Sequence, residues 1–422
     1  SYYICLVLFI LLIIAISRNL KACFYLFKGI NKRIWIALSV LLVLSLFLRI
    51  YFIPHKHYVF YDEYDHMNIA KNMAEAKQFT YCDFYLDNKC LKAPLPHCPP
   101  GYHFLLSSLF KFFGISESVA YNFNAFLGTI AVSLLFLVTY LITSKNILSL
   151  ISASLLSFTP LHLIYSGNSS VEMCSLVFIL LSVLSLLVFI RLQTKAALFQ
   201  LLTVVAYTII IRAENGIIIF LLLLLIFLNK INLRKFAKES YLLIMFLPYF
   251  FYLPRIRTYA VSHWLKGQEG ISVLSLLSRN LGFWLSNDLV PCSYTLLALL
   301  GVYFSIKVKR KFSLSLILYF FTFLFIYTFI HHANIDVGDN RRYNLQFYFP
   351  VVIFAAIGIY EASRLLGNLL KIKWIVIGVL FYVLLLNFTS TYQSSQHLGL
   401  NSNTRVFEKQ YKQFLNGKEI NP

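Results

Sequence analysis

Apolar runs long enough to cross a bilayer alternate with short polar connections along most of this chain. About 20 predominantly apolar residues span roughly 30 Å of hydrocarbon as a helix. By that measure membrane helices are expected near 2–17, 34–53, 120–142, 147–165, 171–190, 197–212, 216–228, 241–253, 293–306, 313–330, 345–362 and 374–390. The pattern predicts an all-α polytopic membrane protein with about 12 transmembrane helices. The long hydrophilic stretch between the second and third spans has a pattern of its own. Over Tyr64–Gln78, Met67, Ala70, Met73 and Ala74 share one face and Lys71, Glu75 and Gln78 lie elsewhere, as in a helix lying at an interface. Pro94, Pro96, Pro99 and Pro100 then break the chain, and a second amphipathic piece, Tyr102–Phe113, stops at Gly114. Two surface helices joined by a Cys/Pro-rich turn are expected there.

Polar residues interrupt two later apolar stretches. Ser166-Gly167-Asn168-Ser169-Ser170 precedes Glu172, and Arg212-Ala213-Glu214-Asn215-Gly216 splits the run from 196 to 228. Non-helical backbone at membrane depth is tolerated only against protein or a watery cavity. The knot Asp62-Glu63-Tyr64-Asp65-His66, just past the second span, must likewise face water or a polar cavity, because burying charge in lipid costs several kcal/mol.

Composition supports the membrane class: 59% of residues are hydrophobic and 13% charged. A net charge of +20 invites a nucleic-acid reading, which the placement of charge rejects. Basic residues crowd alternate connections, including Arg18–Arg33, Lys145, Arg191/Lys195, Lys230–Lys238, Lys307–Lys311 and Arg364–Lys373, where only Glu239 and Glu361 of the 17 acidic residues fall. Those connections are cytoplasmic by the positive-inside rule. The Asp62 loop, both polar breaks, and the segments bearing Arg255, Arg257 and Asp288 and then Asp336, Asp339, Arg341 and Arg342 are therefore extracytoplasmic. The first apolar run lacks a basic leader and a small-residue cleavage site, and reads as an anchor. No internal repeat is evident, so the inverted-repeat signature of secondary transporters is missing. Of seven cysteines, Cys82, Cys90, Cys98 and Cys292 fall outside. A disulfide among the first three is one reading; zinc with His97 and His103 is another, although the spacing matches no closed-site pattern.

In order along the chain, several short elements resemble the GT-C superfamily, membrane glycosyltransferases that use polyprenyl-phosphate sugars. They are Tyr61-Asp62-Glu63 after a span, His97-Cys98-Pro99-Pro100-Gly101-Tyr102 leading to Phe110-Lys111-Phe112-Phe113-Gly114, Pro160-Leu161-His162 through Tyr165-Ser166-Gly167 to Glu172, Arg212-Ala213-Glu214, and Arg342-Tyr343-Asn344 with Pro350. The likeness is nearest the protein O-mannosyltransferase and aminoarabinose (lipid A) transferase branch. It implies a seven-helix module with two surface helices in its first outer loop, here 34–253 including the loop 54–119. Residues 1–33 then add a membrane helix and a basic cytoplasmic loop, 254–390 form a variable membrane module, and 391–422 an extracytoplasmic tail. The helix at 2–17 and the cysteine inside the His97–Pro100 element depart from the family.

The resemblance implies an inverting transfer of a sugar from a polyprenyl-phosphate donor to a protein, lipid or glycan acceptor at the outer face of the cell (plasma) membrane, with no nucleic acid involved. Such a transfer needs a base for the acceptor proton and positive groups for the leaving phosphate. Asp62 is the expected base, with Glu63 orienting the acceptor or raising its neighbour's pKa. Arg341 and Arg342 are the expected phosphate clamp, since planar guanidiniums grip phosphate oxygens in pairs; membrane-interface anchors are the competing reading. Glu172, Arg212, Glu214, His97 and Tyr343 are expected to line the cavity, with an ion pair inside the bundle as the alternative for Arg212 and Glu214. No metal or other cofactor is expected to be required. A divalent cation held by Asp62, Glu63, Asp65 and His66 is the alternative, as the oligosaccharyltransferase relatives use one. The rival function is a polytopic transporter or lipid-linked-sugar flippase, in which intramembrane charges would line a pathway.

Overall fold

The computed structural model describes residues 1–55, 61–80, 82–83, 91–92, 98–249, 273–286, 289–330, 338–370 and 378. Helix α1 (Tyr2–Leu26) and helix α2 (Lys32–Phe47, continued by a wider turn Leu48–Phe52) precede the outer loop, which carries α3 (Tyr61–Ala76) and α4 (Gly101–Phe113). Then follow α5 (Glu117–Thr143), α6 (Asn146–Ser157), α7 (Pro160–Ser166), α8 (Glu172–Leu192), α9 (Lys195–Ile211), α10 (Ile218–Leu228), α11 (Val273–Phe283), α12 (Cys292–Phe325) and α13 (Phe349–Leu370). Tight 3-10 segments occupy Ala213–Ile217, Leu233–Phe246 and Gly338–Phe347. Between α3 and α4 a two-residue antiparallel ladder pairs Cys82–Asp83 with Leu91–Lys92. Among the described residues the architecture is all-α apart from this ladder.

Among the described residues six helices are long and apolar enough to cross a membrane, or seven if the bent pair α6–α7 is one span. The chain is an integral membrane protein. The expected span 147–165 is that bent pair, turned by 59° where Pro160, lacking an N–H, opens a new helix. The expected spans 293–306 and 313–330 form one path, α12, interrupted at Lys309 (φ −130°, ψ 47°) within the basic run Lys307–Lys311. The segment expected as a span at 241–253 is 3-10 helix to Phe246; residues 250–253 and the span 374–390, apart from residue 378, lie outside the described residues.

Local chemistry sets the boundaries. Asn31, Ser116 and Thr194 cap α2, α5 and α9 by accepting from Arg33, Val119 and Ala197 backbone N–H groups at 2.9, 3.3 and 3.2 Å. Gly114 ends α4 at φ +87°, where a side chain would be strained. Helix α8 is apolar on every side and is accordingly central, with 89% of its apolar window buried against 28% for α1 and α2. The additional helix α1 packs along α9: Asn19 Nδ2 donates to Ala196 O at 2.6 Å at one end. At the other, the Tyr2 ring meets Phe104 at 5.3 Å and its hydroxyl accepts from Lys111 Nζ at 3.0 Å.

In membranes, helices associate chiefly through close van der Waals packing, which small residues permit. Helices α12 and α13 meet at such a place. A Cβ added at Gly301 would run into the Phe354 carbonyl, and one at Gly358 into the Leu297 carbonyl. Both obstacles are backbone and cannot rotate away. Gly301→Val and Gly358→Val are each expected to destabilise the protein by at least ~1–3 kcal/mol. A melting temperature in detergent unchanged from wild type would contradict this close approach.

Candidate active site

The basic connections gather at one end of the bundle, and α3, α4 and both polar breaks at the other. Asp62 and Glu63 occupy the first turn of α3, where the helix dipole favours negative charge. They diverge from there. Asp62, 44% exposed, accepts from Arg342 Nη2 at 2.6 Å. Glu63 is buried, and its Oε2 accepts from Ser169 N at 2.9 Å and Ser169 Oγ at 3.0 Å. The carboxylate expected to orient the acceptor thus braces the backbone of the first polar break.

That break is held from several sides. Asn124, fully buried on α5, donates through Nδ2 to Asn168 O and Ser170 O, both at 2.8 Å, and Tyr102 OH donates to Ser169 O at 2.8 Å. Irregular backbone inside the bundle survives because side chains satisfy its carbonyls. Asn124→Ala would strip a partner from both carbonyls, at about 1–3 kcal/mol for each buried group left unsatisfied. A loss of detergent melting temperature is expected; no change would mean water replaces the amide.

The break delivers Glu172, fully buried, to the first turn of α8. Its Oε1 lies 2.5 Å from Arg212 Nη1 and 3.4 Å from Arg342 Nε. Arg212 leaves α9 in an extended conformation (φ −152°, ψ 135°), which aims its side chain inward, and its Nε donates to Glu214 Oε2 at 3.1 Å. The second break is tied down by Asn215, which accepts from Ser175 Oγ at 2.6 Å and donates to Thr208 O at 2.9 Å. Tyr343 lies beside both guanidiniums, with its ring centroid 5.0 Å from Arg212 Cζ and 5.2 Å from Arg342 Cζ, and stacks on Tyr327 at 4.8 Å. With its amide oxygen turned to Arg212, Gln346 accepts from Nε and Nη1 at 3.0 and 3.1 Å and donates to Tyr327 OH at 2.8 Å.

Asp62, Glu172, Arg212, Glu214, Arg342 and Tyr343 therefore form one cluster. Burial opposes the charge on Arg342, but Glu172, Tyr343 and Asp62 outweigh it and hold its pKa well above the ordinary value. Its side chain is 12% exposed and directed at Asp62 and Glu172. Arg341 is half-buried beside it, and its carbonyl accepts from Asn344 Nδ2 at 3.1 Å. His97, Arg255, Arg257, Asp288 and Asp336 lie outside the described residues. His103, at the start of α4, meets His66 instead, Nε2 to Nδ1 at 2.9 Å. Burial pulls His66 down to about 4, against the carboxylates of Asp62 and Glu172, so its ring is neutral at pH 7. Cys98 carries a free thiol, raised well above the usual range by burial and by Asp65 and Asp62; Cys90 lies outside the described residues.

Sequence reasoning missed Gln346, Asn124 and Arg49, and placed Ser169 only within the Ser166–Ser170 break. Arg49 is fully buried in the second span, where its Nη1 donates to Ser45 O at 2.7 Å and its Nη2 lies 2.7 Å from His162 Nδ1. A polar residue inside an apolar span, Asn124 or Arg49, was the available signal; Gln346 gave none. An apolar cavity of about 370 Å³ opens between α11, α12 and α13, lined by Trp284, Ala298, Val302, Phe320, Pro350 and Phe354 among others. Trp284 packs on Phe347, at the end of the segment bearing Arg342, with centroids 5.6 Å apart.

No protein-family model and no curated protein sequence matches this chain. Solved structures do. The oligosaccharyltransferase of Archaeoglobus fulgidus, tethered with an acceptor peptide, is similar with a TM-score of 0.60 and 12% identity, over 94% of this chain and 60% of that one. ArnT from Cupriavidus metallidurans bound to undecaprenyl phosphate is similar with a TM-score of 0.54 and 13% identity, over 87% of this chain and 76% of that one. This chain thus spans about 60% of the length of the oligosaccharyltransferase. This chain shares its fold with both of these membrane proteins.

Proposed function

We propose that this protein transfers a sugar from a polyprenyl-phosphate donor to an acceptor on the extracytoplasmic face of the cell membrane. The observation that carries the reading is the Asp62–Arg342 pair at 2.6 Å: an accessible carboxylate against a buried guanidinium, which Glu172 also contacts. Asp62 takes the proton of the acceptor group as that group attacks the anomeric carbon. The bond from that carbon to the phosphate oxygen breaks on the opposite face, giving inversion. Arg342, with Arg341 next to it, receives the charge on the departing polyprenyl phosphate. In the resting protein Arg342 is occupied by Asp62, so the donor phosphate competes for the guanidinium and frees the base. Donor binding before acceptor follows from this geometry.

Glu63 acts as a positioning residue through Ser169, while Arg212, Glu214, Tyr343 and Gln346 hold Glu172 and Arg342 in place. In this reading the module 34–253 supplies the base and 254–390 the phosphate clamp. The apolar cavity by Trp284 suits part of the prenyl chain, whose likeness ArnT binds as undecaprenyl phosphate. Zinc occurs with the Archaeoglobus oligosaccharyltransferase in one structure. The carboxylates here do not fit a cation, because Asp62 and Glu172 present oxygens to guanidinium nitrogens at 2.6 and 2.5 Å. The transfer step is therefore written without a metal.

Purified protein incubated with a panel of polyprenyl-phosphate sugars and a chelator is expected to release polyprenyl phosphate. Movement of labelled lipid-linked sugar across sealed vesicles, without any release in detergent, would replace this reading with the flippase.

A further inference from the structure

Two histidines and a cysteine that the proposed transfer does not use converge between α3 and α4. His66 Nδ1 lies 2.9 Å from His103 Nε2, and Cys98 Sγ lies 3.8 Å from that same nitrogen. All three donor atoms fall within 4.8 Å of one another. Tetrahedral Zn2+ with ordinary Zn–N and Zn–S bonds sets its ligands about 3.3 Å apart for two nitrogens and about 3.6 Å apart for nitrogen and sulfur. The two printed spacings bracket those values, and His66 Nδ1 and Cys98 Sγ, which lie within 4.8 Å, close by up to about 1 Å to seat an ion.

The cluster also has the surroundings that a metal site needs. His103 Nδ1 donates to Pro99 O at 3.2 Å, which leaves Nε2 unprotonated with its lone pair turned towards His66 and Cys98. Metal-bound imidazoles are commonly oriented this way from behind. The His66 ring packs edge-on against Tyr102, centroids 5.5 Å apart, and His103 against Phe79 at 5.6 Å, so aromatic walls exclude water on two sides. Cys98 is half-buried, which leaves a way in.

We propose that His66, Cys98 and His103 bind one Zn2+ ion, with the fourth position open to water. On binding, the Cys98 thiol gives its proton to solvent and coordinates as thiolate, while the proton that His66 Nδ1 donates to His103 Nε2 moves to His66 Nε2, so that both rings ligate as neutral imidazoles. A set of two nitrogens and one sulfur selects zinc or cobalt over magnesium or calcium. The ion joins α3 to the start of α4 across the connection 77–100, whose described secondary structure is the two-residue ladder alone. It thereby fixes the helix that carries Asp62 and Glu63. This site takes no part in the sugar-transfer proposal, and its test does not use activity.

The full chain, reduced, purified in detergent and stripped with a chelator, is titrated with Co2+ and then Zn2+. One equivalent of Co2+ is expected to produce a thiolate-to-cobalt charge-transfer band together with visible bands of tetrahedral cobalt, and Zn2+ to abolish both. Cys98→Ser is expected to lose the charge-transfer band, and His103→Gln to weaken Co2+ binding by about 10–100-fold. Both are compared with wild type by size-exclusion profile and circular dichroism. Absence of a saturable band in the wild-type protein overturns the proposal whatever the variants do. A charge-transfer band that persists in Cys98→Ser overturns it as well, by placing the metal on another thiol.

Discussion

Asp62→Asn is expected to lower release of polyprenyl phosphate at least a hundredfold while leaving donor affinity close to wild type. Positioned general bases contribute about 10²–10⁴-fold, and asparagine keeps the shape and the hydrogen-bonding oxygen but cannot take a proton. The cost to stability should be small. Asp62 is 44% exposed, and such pairs contribute about 0–1 kcal/mol. Arg342 also keeps Glu172 nearby. Single-turnover release and donor binding, measured side by side, separate the two roles. Equal turnover by wild type and variant would remove Asp62 from the reaction, and with it the reading of the site.

The second large effect is expected at Arg342. Arg342→Gln removes the group poised to receive the leaving phosphate, and loss of one preorganised electrostatic contact costs about 10²–10³ in rate. Donor affinity should fall as well, since phosphate and guanidinium attract in the ground state too. Arg342→Lys keeps the charge but not the planar fork that meets Asp62 and Glu172 together, and is expected to recover only part of the activity. A purely structural role predicts something else: glutamine would lower the melting temperature, and what folded protein remained would turn over normally. Breaking a buried pair costs about 3–5 kcal/mol when a charge is left uncompensated. Here Glu172 retains Arg212 at 2.5 Å, so the folded variant should be recoverable for assay.

Much of the site's composition was legible before any tertiary structure was at hand. Asp62, Glu172, Arg212, Glu214, Arg342 and Tyr343 stood out because charge and polarity are costly beside long apolar runs, so each needed a reason to be there. Their common side followed from the alternation of basic connections. The partition of roles did not follow. Asp62 and Glu63 are adjacent in sequence, but successive helical residues point about 100° apart. One therefore meets Arg342 and the other Ser169. Sequence likewise treats Arg341 and Arg342 alike, and only packing sets Arg342 against Glu172.

The sequence by itself determined that this is a polytopic helical membrane protein with a polar cluster after its second span. Those properties depend on local composition and on the thickness of the bilayer, which reads hydrophobicity segment by segment. Tertiary structure alone decided which polar groups touch. It set Gln346 against Arg212 and Asn124 beneath the Ser166–Ser170 break, and it brought His66 to His103 and Cys98. Contacts between residues tens to hundreds of positions apart follow from how helices dock, and docking is a property of surfaces that no single segment carries.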